Sequence, residues 1–225
     1  MHSHLLRHLK PRIALTASIV LLGTIGALPS GPFGASAAEA LETVTIHEGS
    51  AEGSAVPAGT TLVAKSSNFV IHMAAGNVEC ASSAIEGPLE VNGKVEDEWD
   101  AKSVTAKECT TTFSGKPTAT VSTNAPWTID IQWWFFTDAW FRPFWRNHLA
   151  SLTYTVALSS GPKCVYGFKE MLGTSTGIGP PLVAEFTKQK ITEESGKAPC
   201  EEKAELSAAY TIQTAKGTEL AATTP

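Results

Sequence analysis

The amino-acid sequence predicts an all-β fold, a disulfide-stapled β-sandwich or open barrel. Three observations carry that expectation. From Thr60 onward apolar residues recur at every second position rather than at helical spacing. Gly, Pro and Asn punctuate these runs at short intervals, as turns between ten to twelve short strands require. Four cysteines, Cys80, Cys109, Cys164 and Cys200, follow an export-type leader, and an even count in an exported chain reads as a disulfide framework.

The leader is residues 1–37. Arg7, Lys10 and Arg12 make a basic start, "IALTASIVLLGTIGAL" is an apolar run short for a membrane span, and Ala35 and Ala37 stand in A-x-A spacing. A cleavable signal peptide is expected, leaving about 188 residues in a secreted or extracytoplasmic compartment. Residues 38–58, with "HEGSAEGSAVPAG", carry little to bury and read as a flexible linker. The β-domain is expected over 59–225.

The strands follow in order. "FVIHM" places Phe69, Ile71 and Met73 on one face, and Val78 and Cys80 continue after a turn at Ala75-Gly76-Asn77. Asn92-Gly93 in "LEVNGKVE" suits a two-residue type I′ hairpin. "SVTAKECTTTF" and "TATVST" are Thr-rich strands. "WTIDIQW" alternates Trp127, Ile129, Ile131 and Trp133 inward against Thr128, Asp130 and Gln132 outward. "SLTYTVAL" does the same with Leu152, Tyr154, Val156 and Leu158. "PKCVYGF", "LVAEFTKQKI" and "ELSAAYTIQT" complete the list, and "TAKGTEL" reads as a last hairpin turn. Only "SVTAKE" and "CEEKAEL" are compatible with helix.

Four cysteines allow three connectivities. An internal echo favours one of them. "FVIHMAAGNVEC" and "YTVALSSGPKC" share a strand, a Gly turn and a Cys strand, and each is followed by a second cysteine about thirty residues on. This raises the alternative of two similar halves with local bridges, Cys80–Cys109 and Cys164–Cys200. Each bridge would stabilise by roughly 3–4 kcal/mol on the chain-entropy argument.

The succession of a leader, "GTTLVAKSSNFVIHMAAGNVECASS", a Trp-led strand "PWTIDI" and "GPKCVYGF" resembles a group of exported, four-cysteine, β-rich bacterial proteins. The resemblance spans about residues 58–222. It implies a secreted β-domain, and no assigned activity comes with it.

Charge and motifs narrow the function. Without the leader, 14 basic residues face 22 acidic ones, a balance of about −8 that excludes nucleic-acid binding by phosphate neutralisation. No H-E-x-x-H or C-x-x-C pattern occurs. His47 belongs to the expected linker, and His72 reads as a surface histidine. "EDEWD", Glu96 to Asp100, offers carboxylates for calcium, or Glu96 and Asp100 as a glycoside-hydrolysing pair, yet it reads first as a solvated acidic stretch. "GTSTGIGPP" lacks the Lys-Ser/Thr of a phosphate loop and reads as a turn. No cofactor, metal or catalytic set is expected.

One stretch stands apart. "WWFFTDAWFRPFWRNH", residues 133–148, holds eight of the eighteen aromatic residues and the only arginines beyond Arg12. Its alternation ends at Trp133–Phe136, where both faces become apolar. It reads as the aromatic tip of a long hairpin between strands 127–133 and 151–158, with at least three rings exposed. Three uses compete: a plug for the core, a membrane-interface tip, and a contact with a partner protein, a second copy or cell-wall glycan. The expected contact residues are Trp134, Phe136, Trp140, Phe141, Arg142, Phe144, Trp145 and Arg146. The sequence thus predicts an exported, non-catalytic binding or structural module. A membrane-inserting protein, or a secreted glycan hydrolase, is the alternative.

Overall fold

The structure, a computed structural model, describes residues 45–94, 96–113, 118–134, 138–144, 152–159, 161–169, 171–176, 179–196 and 200–223. The expected signal peptide lies outside them. The described residues form strands and no helix. They are β1 (Thr45–Glu48), β2 (Thr61–Ser66), β3 (Phe69–Met73), β4 (Gly76–Val91) and β5 (Glu96–Ala101). Next come β6 (Ser103–Thr111), β7 (Thr118–Thr123), β8 (Trp127–Trp134), β9 (Asp138–Phe144) and β10 (Leu152–Leu158). The last are β11 (Lys163–Phe168), β12 (Gly173–Thr176), β13 (Leu182–Ser195), β14 (Lys203–Thr214) and β15 (Leu220–Thr223). The helix-compatible "SVTAKE" and "CEEKAEL" fall in β6 and at the start of β14.

The fold is a closed eight-stranded barrel with extra strands. Its wall runs β4, β6, β7, β10, β11, β13 and β14, and it is closed by β2 and β3 acting as one interrupted strand. β2 and β3 each pair with both β4 and β14. At the interruption Asn68 Oδ1 accepts a hydrogen bond from Ala209 N at 2.8 Å, so a side chain replaces the missing rung. Of the expected alternatives, then, the barrel holds, and it is closed rather than open. The reason is that β14 returns to β2 and β3 and leaves the wall no edge.

The sheet also forks. β4 and β13 are the longest strands, and each changes neighbour partway along. β4 pairs with β6 over Val78–Glu86 and with β5 at Leu89 and Val91. β13 pairs with β12 at Glu185 and with β11 toward Ser195. A second run of pairings, β4–β5–β8–β9–β12–β13, branches off between these forks. Gly87 marks one fork. A Cβ there would lie 1.9 Å from Asp100 O, so only glycine allows β5 to approach β4 so closely. Trp99 Nε1 donates to Gly87 O at 2.9 Å and fixes the contact.

The barrel fills its own interior. Phe69, Ile71, Met73, Val78, Leu152, Tyr154, Val156, Leu158, Tyr166, Leu206, Tyr210 and Ile212 are all buried, as the period-two reading expects. Trp127 stands edge-on to Tyr154 and Phe168, with ring centroids 5.3 and 5.7 Å away. Phe69 completes this cluster against Tyr154 at 5.6 Å. Tyr210 satisfies its hydroxyl on Ser83 Oγ at 2.8 Å.

Both disulfides pair as expected, Cys80–Cys109 and Cys164–Cys200. Their settings differ. Cys80 and Cys109 are directly opposite one another on β4 and β6, and both are buried. Cys164 is buried in β11, whereas Cys200 precedes β14 and is partly exposed.

Several local expectations are corrected. The linker expected over 38–58 contains a strand: β1 pairs with β15 from Thr45↔Thr223 to Glu48↔Leu220, and Ile46 and Val56 are buried. His47 joins β1 to the segment that follows it and to β15, with Nδ1 on Gly53 O at 2.7 Å and Nε2 on Thr223 Oγ1 at 2.8 Å. Asn92-Gly93 does lie between β4 and β5, with Gly93 at φ 80°. The turn is longer than two residues, since Val91 pairs with Glu98. Asn92 is occupied elsewhere: its carboxamide accepts from Ile46 N and donates to Ile46 O and Val56 O. "GTST" is strand β12 rather than part of a turn. Thr128 and Asp130, expected outward, are buried at 5%.

Candidate functional site

The aromatic stretch is not the tip of a hairpin between 127–133 and 151–158. The chain turns back earlier, and β8 pairs with β9 from Thr128↔Phe144 to Trp134↔Asp138. β10 pairs instead with β7 and β11, because its buried face belongs to the barrel wall. Of the expected contact residues, Trp134 ends β8, and Trp140, Phe141, Arg142 and Phe144 are in β9. Phe136, Trp145 and Arg146 lie outside the described residues. So does the expectation that at least three rings are exposed.

On its other side β9 pairs with β12 over Asp138–Phe141. Arg142, Pro143 and Phe144 have register partners only on β8 among the described pairings. Proline suits that position, because a missing N–H costs nothing where no second neighbour needs it. Pro143 therefore marks a strand edge.

The register also joins two stretches that looked unrelated. β5, the acidic "EDEWD" strand, is the other neighbour of β8. Three cross-strand rows result: Glu96–Gln132–Trp140, Glu98–Asp130–Arg142 and Asp100–Thr128–Phe144. Direct partners sit about 5 Å apart at Cβ. Glu98 and Asp130 are therefore register neighbours, and Arg142 holds the next register position in that row. Glu96 and Asp100 are four residues apart on one strand, about 13 Å at 3.3 Å per residue.

Asp97 belongs to the opposite face. It is fully buried, and it is in register with Ile131. Oδ1 accepts from Lys94 N at 3.1 Å, while Oδ2 has no hydrogen-bond partner. Burial raises its pKa to about 7, opposed in part by the backbone N–H groups of Lys94 and Gly93. The sequence grouped Asp97 with a solvated run, and only its alternation with Trp99 separated it from Glu96, Glu98 and Asp100.

A groove of about 570 Å³ lies elsewhere, where β3, β13 and β14 meet. His72, Lys190, Lys203, Glu201 and Glu205 line it above Met73, Ile191 and Ala204. His72, read as a surface residue, is partly buried and in register with Glu205, which is in register with Lys190. The Glu201 carboxylate spans the turn after β3: Oε2 accepts from Ala74 N at 2.7 Å and Oε1 from Ala75 N at 2.5 Å. No period or motif could have revealed this contact across 127 positions of sequence. Among the described residues no three His, Cys, Asp or Glu side chains gather as metal ligands.

Comparison of the chain with family models, with curated proteins and with solved structures finds no match. Its two disulfides are a mark of an oxidising, extracytoplasmic environment.

Proposed function

We propose that this protein is an exported, non-catalytic binding module, and that the aromatic and arginine-bearing strand β9 with its flanks is the contact surface. The observation that carries this reading is that the eight-stranded barrel wall closes by strand pairing without β9. The aromatic stretch is therefore not required by the pairing that closes the wall. A strand hairpin also presents its residues in fixed alternation, which lowers the entropy lost on binding relative to a loose loop. Trp and Arg are the residues that dominate interface energetics. The ligand class is a partner protein, a second copy of the chain or a cell-envelope glycan.

The test is the variant Trp140→Ser/Phe141→Ser/Phe144→Ser/Trp145→Ser. Wild-type protein is expected to self-associate in sedimentation, or to be retained by cell-wall glycan or by a cognate envelope protein, and the variant to lose that association at least tenfold. Binding of the wild type to anionic vesicles alone would replace this reading with membrane insertion. Unaltered association in the variant would remove β9 from the contact surface.

A further inference from the structure

The two disulfides divide the molecule into a permanent staple and an accessible tie. Cys80–Cys109 is buried between paired barrel strands. Cys200 is partly exposed and its Sγ lies against the Lys163 carbonyl, while Cys164 is buried in β11. Gly196 leaves room for that sulfur, since a Cβ there would be 2.6 Å from it.

The residue after Cys200 does the tying. Glu201 N donates to Tyr166 Oη at 3.4 Å, and Tyr166 Oη donates to Met73 Sδ at 2.9 Å. The Glu201 carboxylate holds the amides of Ala74 and Ala75. One covalent bond thus fixes Glu201 across the barrel end, from β11 to the turn that joins β3 to β4. That turn borders the groove of His72, Lys190 and Lys203.

We propose that Cys164–Cys200 is a redox-sensitive latch, whose reduction by an external dithiol frees Glu201 from the β3–β4 turn while the barrel stays closed. In the reaction one thiolate of the dithiol attacks Sγ of Cys200, the less buried of the two cysteines, and Cys164 leaves as a thiolate that takes up a proton. The second thiol then attacks the mixed disulfide and releases Cys200 as a thiol. The dithiol ends as its own disulfide, having given two electrons. Freed of Glu201, the groove gains two adjacent amide donors beside Lys203.

The experiment is graded reduction of the intact protein with dithiothreitol under native conditions. Alkylation with peptide mass spectrometry reads each cysteine, and amide hydrogen exchange reads the backbone. Cys164 and Cys200 are expected to be alkylated before Cys80 and Cys109. Ala74 and Ala75 should then exchange at least tenfold faster, with Val156 and Ile212 still protected. Alkylation of all four cysteines together, or loss of protection at Val156 and Ile212 in step with Cys200 reduction, overturns the latch. Unchanged exchange at Ala74 and Ala75 does so too. The variant Glu201→Ala supplies an independent arm: with both disulfides intact it should speed exchange at Ala74 and Ala75 as reduction does, and failure to do so overturns the role of Glu201.

Discussion

β8 and β10 carry the same sequence pattern and have different surroundings. Each alternates apolar residues with polar or small ones; β8 buries Trp127, Ile129 and Ile131, and β10 buries Leu152, Tyr154, Val156 and Leu158. In β10 the other set, Thr153, Thr155 and Ala157, is half-buried, as a barrel wall with one wet side requires. In β8 the other set is buried as well, at Thr128 and Asp130. The neighbours account for the difference. β10 lies in the barrel wall between β7 and β11, and β8 lies beyond the fork between β5 and β9. Alternation therefore reports which residues share a face, and it is silent on whether the second face is covered.

The largest test of this comparison is at the residue that both regions use. Trp127 begins β8 and packs on Tyr154 of β10 and on Phe168. Trp127→Ala should cost about 3–5 kcal/mol in chemical denaturation, because a buried indole leaves a cavity that neither region can refill. A loss below about 1 kcal/mol would mean that β8 is not joined to the barrel core.

Asp97 gives the next effect, and it carries a pH signature. Its proton is held more tightly in the folded chain, at about 7, than in the unfolded one, at 3.8. Stability from this group is therefore complete below 3.8 and is lost as pH rises to about 7, by at most about 1.4 kcal/mol per pH unit. Asp97→Asn cannot ionise, and its Oδ1 can still accept from Lys94 N. It should stabilise the protein at pH 8 and flatten the fall in melting temperature between pH 4 and 7. An unaltered pH slope would show that Asp97 ionises freely.

A smaller effect separates the second faces of the two strands. Asp130→Ala should cost about 1–3 kcal/mol, since it removes a buried carboxylate from the row that Glu98 and Arg142 flank. Thr155→Ala, at the half-buried position of β10, should cost less than about 0.5 kcal/mol. Equal losses at the two sites would erase the distinction.

Much of the fold was legible because period-two patterning is local. The inward residues of β3, β4, β10 and β14, and the pairing of the four cysteines, follow from positions close in sequence. Partner choice was not legible. The same Trp-led alternation that defines β8 is compatible with β10 or β9 as its neighbour, and β8 pairs with β9. β1 was missed because "TIHE" is short and followed by Gly and Ser, and its burial depends on β15, more than 170 positions away in sequence. Of the candidate site, the aromatic residues were legible by composition. Their junction with the acidic strand was not, because β5 and β9 meet only through β8.

The central claim is that the eight-stranded barrel is complete without β9. Amide hydrogen exchange on the quadruple serine variant of β9 and its flank tests it most directly. The account predicts wild-type protection for the amides of β10, β11 and β14, with loss confined to β8, β9 and β12. Loss of protection throughout β10, β11 and β14 would contradict it and make the aromatic strand part of the folding core.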